Sequence, residues 1–535
     1  MANTNVNFVL HAHMPFVRHP EHERFLEEDW LFESINESYL PLLRMLNNLK
    51  DRNITYKLSI CFSPTLISML VDPLLQKRYI NYLKLHINLG KKEVKRCQKD
   101  QPEALEMAKT YLENLEDNYR DYIQVYKNNI LTGFKKLKEE GYLELLASAA
   151  TNSFFPVYRE FPIAINAQIE VGIQTFIEAF EFTPDGFWLP ECGYYPGLET
   201  ILAKHNITYF PASSQSVLFS ETRCETGVYR PVKTENNVTI FPRDYQTTSL
   251  VWSHEGYPSS KEYREFYRDI GYDLPLDYIK PYIHEPDVRV FTGFKYWSIT
   301  DKGLEKDYYN KDKAMKIAQQ HALNYVYNIA QKGRAVRPNL NGKDPLFTLC
   351  FDAELFGHWW YEGLKWLETI LVEQNSECAS ITLINPRDFI KQEGKGFQKI
   401  KPCLSSWSEG GYSKIWLDGS NNWIYRHTHK AIERMVELSD RFPNQQSLKK
   451  RFLDQAAREV LLSMACDWPY MIYNDTNSQF AKNQLVSHLA NFNVVYSNMC
   501  KNAVNTEWLV KSESRDNIFP DIDYNIFELN NCKNM

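Results

Sequence analysis

The chain has 535 residues, too many for one ordinary core, which predicts about two or three domains. Its net charge of −6, with charged residues at 24%, supplies no basic face for nucleic acid. Ten scattered cysteines without a C-x-x-C pair argue against a disulfide or zinc framework, and the longest apolar runs are only strand length, so no membrane span is expected.

In chain order, short apolar runs recur and each ends in polar residues. Asn7-Phe8-Val9-Leu10 runs into His11-Ala12-His13, and Tyr56 to Phe62 into Ser63-Pro64. The start, MANTNVNFVLHAHMPF, has neither the basic residues nor the long apolar core of a signal peptide, so a cytoplasmic location is expected. Residues 72–140 break the pattern. This Lys-, Glu- and Leu-rich stretch predicts two or three long helices inserted after the second strand. The runs resume with Leu143 to Ala147 into Ala150-Thr151-Asn152, Gly186 to Leu189 into Pro190-Glu191, and Ile207 to Phe210 into Pro211-Ala212-Ser213. Residues 230–290, rich in Tyr, Pro and Ser, predict a long active-site loop, since loops of that length tend to be functional. Leu346 to Phe351 then runs into Asp352. From residue 416 to 535 the periodicity is helical, which predicts a C-terminal helical domain on a catalytic domain of residues 1–415.

The alternation is βα with buried parallel strands. Polar residues at the C-terminal end of every strand are what a TIM-like (β/α) barrel produces. An open doubly wound sheet also places ligands at strand ends, but here the candidates come from many separate strands, which favours the barrel.

His11 and His13, two apart on a strand, face one side. They fit a metal site, as in metal-dependent deacetylases, or a pair that hydrogen-bonds substrate. A catalytic metal normally takes three protein ligands, and no further histidine cluster follows. Glu191 and Asp352 are strand-end carboxylates, the pair that glycoside chemistry needs: one attacks the anomeric carbon, the other protonates the leaving oxygen. Glu354 stands two residues past Asp352. The stretch SSWSEGGY, followed by Trp416, sets aromatic rings among Ser and Gly, suited to stacking on sugars. Asp467 lies in CDWPY, where a helix ends.

HAHMPF, WLPECGY, FDAELFGHWWYEG, SSWSEGGY and CDWPY, in this order and spacing, resemble glycoside hydrolase family 57, and within it the 1,4-α-glucan branching enzymes. The resemblance runs from about Asn7 to Phe492. It implies an incomplete seven-stranded (β/α) barrel with helical insertions and a helical C-terminal domain. It also implies retaining action on α-1,4-glucans, without metal or organic cofactor, that builds α-1,6 branches. By that likeness Glu191 is the nucleophile and Asp352 the general acid/base, which sets Glu354 aside. His11 and His13 would line the attacked subsite. Trp30, Trp297, Trp407 and Trp416 would line the glucan groove, with Asp467 and Arg289 as further sugar contacts and Tyr257 as a loop-tip residue associated with branching. Two positions depart from the pattern: Asn152 stands where branching enzymes carry His, and Ser408 where they carry Gly. Other readings are a 4-α-glucanotransferase or α-amylase of the same family, a metal-dependent deacetylase using His11, His13 and Asp352, and a glucan-binding protein on a decayed scaffold.

Overall fold

The computed structural model describes residues 4–284, 288–300, 305–376 and 380–529. Its strands are β1 (Asn5–Ala12), β2 (Leu58–Phe62), β3 (Leu143–Ser148), β4 (Phe187–Trp188), β5 (Tyr209–Ala212), β6 (Val232–Lys233), β7 (Thr239–Pro242), β8 (Leu346–Asp352) and β9 (Thr382–Leu383). The continuous apolar runs make β1, β2 and β8 strands that are covered on both faces, as parallel strands under helices must be. β4, β3, β2, β1 and β8 pair in parallel in that order. A single bridge, Gly186 to Tyr209, joins β4 to β5. β5 pairs in parallel with β7, and a bridge from Arg243 to Thr348 returns to β8. Seven parallel strands thus ring one interior, an incomplete (β/α) barrel whose two weakest seams flank β5 and β7. β6 lies antiparallel on β7, and β9 pairs with the start of β1.

The expectation of a long loop over 230–290 needs correction. β6 and β7 lie inside it, and β7 is a stave of the barrel. Four residues ending in Pro, next to Asn-rich turns, leave too short an apolar run to be read as a strand. The loop proper starts after Arg243 and carries the helix Tyr245–Trp252 and two single-turn helices.

Between β2 and β3 stand the helices Pro73–Asp100, Leu105–Arg120 and Leu131–Glu139. Asp72 caps the first, accepting from the amides of Leu74 and Leu75, with Pro73 at the first helical position. The helix Pro162–Phe180 lies hard against the end of β3: a Cβ on Gly172 would stand 2.0 Å from the Ser148 carbonyl oxygen. After residue 420 the chain is helical, with long helices Trp423–Arg441, Ser447–Ser463 and Ser478–Cys500. These helices are clipped to the end of β3. Thr151 Oγ1 donates to the Leu461 carbonyl, the Cys466 amide donates to the Asn152 carbonyl, and Ser153 bridges Ala465.

Candidate active site

The C-terminal ends of β1, β4, β7 and β8, with the start of the helix Asp467–Tyr473, enclose a cleft of about 560 Å³. Glu191 and Asp352 both line it. Glu191 sits in a tight turn directly after β4, with a left-handed backbone (φ 59°, ψ 21°). Its Oε2 accepts from Trp407 Nε1 at 2.8 Å. Its Oε1 faces two weaker donors, Asn152 Nδ2 at 3.4 Å and Cys466 Sγ at 3.5 Å. The amide of Trp407 also donates to the Glu191 carbonyl (3.0 Å), so the SSWSEGGY loop is zipped onto the turn that carries Glu191. Ser408 Oγ donates to the Tyr412 carbonyl at 2.6 Å and so holds the turn within this loop.

Asp352 ends β8, with its side chain 24% exposed into the cleft and its Oδ1 3.5 Å from His11 Nδ1. Burial pushes the Asp352 carboxyl up to about 6, against the pull of His13 and Arg243. Burial also raises Glu191, opposed by the Trp407 hydrogen bond and by His11. His11 is stacked between Trp188 (4.9 Å) and His13 (5.4 Å); burial, with His13 beside it, lowers it to about 3. The His11–Asp352 contact therefore joins a neutral imidazole to a carboxyl and is not an ion pair. For His13 burial acts against the charge, but the Asp467 carboxylate, 2.9 Å from Nε2, outweighs it and raises the imidazole above its ordinary value.

Glu354 is not a partner for Glu191. It accepts from the His13 amide (3.2 Å) and from the Tyr39 hydroxyl, and burial raises it to about 7. It holds the HAH turn in place.

Trp30, Trp407, Trp416 and Asp467 join His11, His13, Glu191 and Asp352 on the cleft wall. Three expected contacts do not. Tyr257 lies against the helix Lys311–Val336, its ring 4.8 Å from His321 and its hydroxyl donating to Asn324 Oδ1 at 2.6 Å. Arg289 Nη1 donates to the carbonyls of Gly271 and Leu274 and so ties its own loop together. Trp297 stacks on Tyr308 at 4.7 Å and donates to Asp273. Arg289 and Trp297 spend their polar groups on the loop that carries them, and Tyr257 spends its hydroxyl on the neighbouring helix. Instead, Trp252 and Trp359, 37% and 44% exposed with ring centroids 6.2 Å apart, line the cleft, and so do Arg243, Cys466 and Tyr470. Trp359 belongs to a stretch the sequence marks as unusual. Trp252 and Arg243 carry no local signal beyond their residue type.

His11, His13 and Asp352 do not form a metal site. Both ring nitrogens of His13 are engaged, by Ser63 Oγ and Asp467. Among the described residues the group with ligand spacing is Glu459, His488 and Asp516, buried in the C-terminal helices. There Glu459 already accepts from Gln455, His488, Asn491 and Ser512. Around the cleft, His11 Nε2, Asn152 Oδ1, Trp416 Nε1 and Asp467 Oδ2 are buried polar atoms without protein partners.

Residues 7–401 match the family model described as glycosyl hydrolase family 57, and residues 427–527 match the one described as 1,4-alpha-glucan branching enzyme, C-terminal. The chain is 30% identical to the 1,4-alpha-glucan branching enzyme of Thermococcus kodakarensis, over 96% of this chain and 77% of that protein. Among solved structures it is similar to the alpha-amylase AmyC of Thermotoga maritima (38% identity, TM-score 0.92, 98% and 99% of the two chains). It is also similar to the branching enzyme of Pyrococcus horikoshii (28% identity, TM-score 0.87, 99% and 97%). With a strand-end carboxylate pair in an aromatic cleft and a family match over most of its length, this chain belongs to glycosyl hydrolase family 57.

Proposed function

We propose that the chain is a retaining 1,4-α-glucan branching enzyme. The observation that carries this reading is the placement of Glu191 and Asp352, from opposite parts of the sequence, on one cleft walled by tryptophans. Glu191, ionised and held through Oε2 by Trp407, attacks the anomeric carbon of an α-1,4-glucan. Asp352 gives its proton to the departing glycosidic oxygen, and a glucosyl ester on Glu191 results. Asp352, now a carboxylate, takes the proton from the 6-hydroxyl of a second glucan segment as that oxygen attacks. Glu191 is released and an α-1,6 branch is left. Sugar hydroxyls suit unpartnered polar atoms of the cleft such as His11 Nε2 and Asp467 Oδ2. Trp252 and Trp359 at the rim offer ring faces to the acceptor and keep water from the ester.

The AmyC likeness, at the higher identity of the two structures, favours a second reading: an α-amylase that passes the same ester to water. Incubation with amylose separates the two. Branching gives new α-1,6 linkages with few new reducing ends, whereas hydrolysis gives reducing ends without them. Glu191→Gln should keep glucan binding and lose roughly a thousandfold or more in turnover. Turnover near that of the unaltered enzyme would refute the assignment of the pair.

A further inference from the structure

Arg243 follows β7 directly. Its backbone bridges Thr348 of β8, the strand that ends in Asp352. The side chain lines the cleft, though the residue is only 6% exposed, and its guanidinium stands 5.2 Å from the centroid of the Trp407 ring. Its Nε is buried without a partner, and among the described residues no carboxylate forms an ion pair with it. Two other buried arginines are answered, Arg230 by Glu393 and Arg458 by Gln455 and the carbonyls of Ile518 and Phe519, while Arg264, whose Nε is also unpartnered, donates to the Tyr111 hydroxyl and lies over the Tyr361 ring. An unpaired desolvated cation is costly. This one is kept where Glu191, Asp352, Glu354 and Asp467 crowd one cleft.

We propose that Arg243 is a positioning residue that acts through Asp352, as the fixed counter-charge that lets this half-buried carboxyl give up its proton and stay charged between the two half-reactions. The inference rests on the reading of Asp352 as acid/base. An acid in apolar surroundings holds its proton too tightly to be a good donor, and the base that it leaves is destabilised. The titratable groups that feel the charge of Asp352 are His11 at the end of β1 and His13 just after it, Glu191 and Cys192 after β4, Glu354 after β8, Cys350 within β8, Tyr39, and Tyr470 from the C-terminal helices. Only His13 and Arg243 oppose the burial of Asp352. His13 is already committed to Asp467 at 2.9 Å. Among the described residues Arg243 has no carboxylate in an ion pair with it. The Trp407 ring beside its guanidinium also grips Glu191, so one side chain registers the counter-charge against the nucleophile.

The test is the pH profile of kcat/KM on an aryl α-maltooligoside for R243M, R243Q and R243K. The two neutral variants guard against misfolding of either. Both should lose roughly tenfold to hundredfold in rate, and their alkaline limb, set by Asp352, should move to higher pH. R243K should keep the limb of the unaltered enzyme, and guanidinium chloride at non-denaturing concentration should restore part of the R243Q rate. An unmoved limb in the neutral variants, or no rescue, overturns the inference. If E191Q is inactive and the limb nevertheless stays put, only the role of Arg243 falls. If E191Q turns over, the reading of the carboxylate pair falls first.

Discussion

Glu191 and Cys192 both hold left-handed backbones, at φ 59° and 49°, directly after β4. Non-glycine residues in that region cost about 1–3 kcal/mol each, so the surroundings must over-determine the turn. Cys192 N donates to the Leu189 carbonyl at 2.8 Å, and Trp407 holds Glu191 by main chain and by side chain. The side-chain bond also serves the chemistry. It favours the ionised carboxylate against the burial that raises its pKa. A hydrogen bond to a charged group is worth about 1.5–3 kcal/mol. Trp407→Phe keeps a ring for the sugar but deletes the donor. It should lower kcat about tenfold to hundredfold and move the acid limb of the pH profile upward, because the proposed mechanism needs Glu191 ionised for its attack. An acid limb that stays in place would show that the bond merely supports the loop. Asn152 plays a smaller part on the other oxygen, donating at 3.4 Å. An asparagine cannot shuttle a proton, but it tolerates the left-handed conformation it adopts there (φ 51°) and can still hold the carboxylate.

At the scale of elements, the long strands were legible because parallel strands covered on both sides must be apolar, and β1, β2, β3 and β8 announce themselves by that rule. β7 did not, being four residues long and ending in Pro242. With it went Arg243, whose significance comes from its neighbours on β8 and Trp407 and not from its own surroundings in sequence. The loop after β7 misled in another way. Tyr257 and Trp252 are both aromatic residues in a Pro- and Ser-rich stretch, with Trp297 just past it, and sequence does not say which ring turns outward. Tyr257 is held against the helix Lys311–Val336, whereas Trp252 lines the cleft. Tyr257→Ala should therefore cost about 1–3 kcal/mol of stability, within the range of ordinary packing losses, and leave the ratio of branching to hydrolysis unchanged. Trp252→Ala should lower that ratio with little loss of stability. Linkage counting and denaturant melts on both variants decide the matter, and the opposite pattern would return the loop-tip role to Tyr257.

For the whole molecule, the cleft is closed by residues from both ends of the chain: His13 Nε2 and Asp467 Oδ1 stand 2.9 Å apart across 454 positions. The motif CDWPY is visible in the sequence, but its partner is not, since no local pattern encodes a contact of that span. The clips at Thr151, Asn152 and Ser153 explain why the C-terminal helices are part of the site: they fix Cys466, Asp467 and Tyr470 against the ends of β1 and β4. The His13–Asp467 pair should then couple activity to the docking of the two halves, with a definite pH signature. His13 is raised in the folded state by Asp467. Its stabilising contribution is therefore fully present below the unfolded value of 6.5 and is lost as pH rises through the raised folded value. Asp467→Asn removes the charge that supports it. The variant should be less stable than the parent by about 1.5–3 kcal/mol near pH 6.5, and the gap should narrow as the pH is made alkaline. Urea unfolding of both proteins across that range measures it, and a gap independent of pH would mean that the two side chains are joined by a plain hydrogen bond, with no charge on His13.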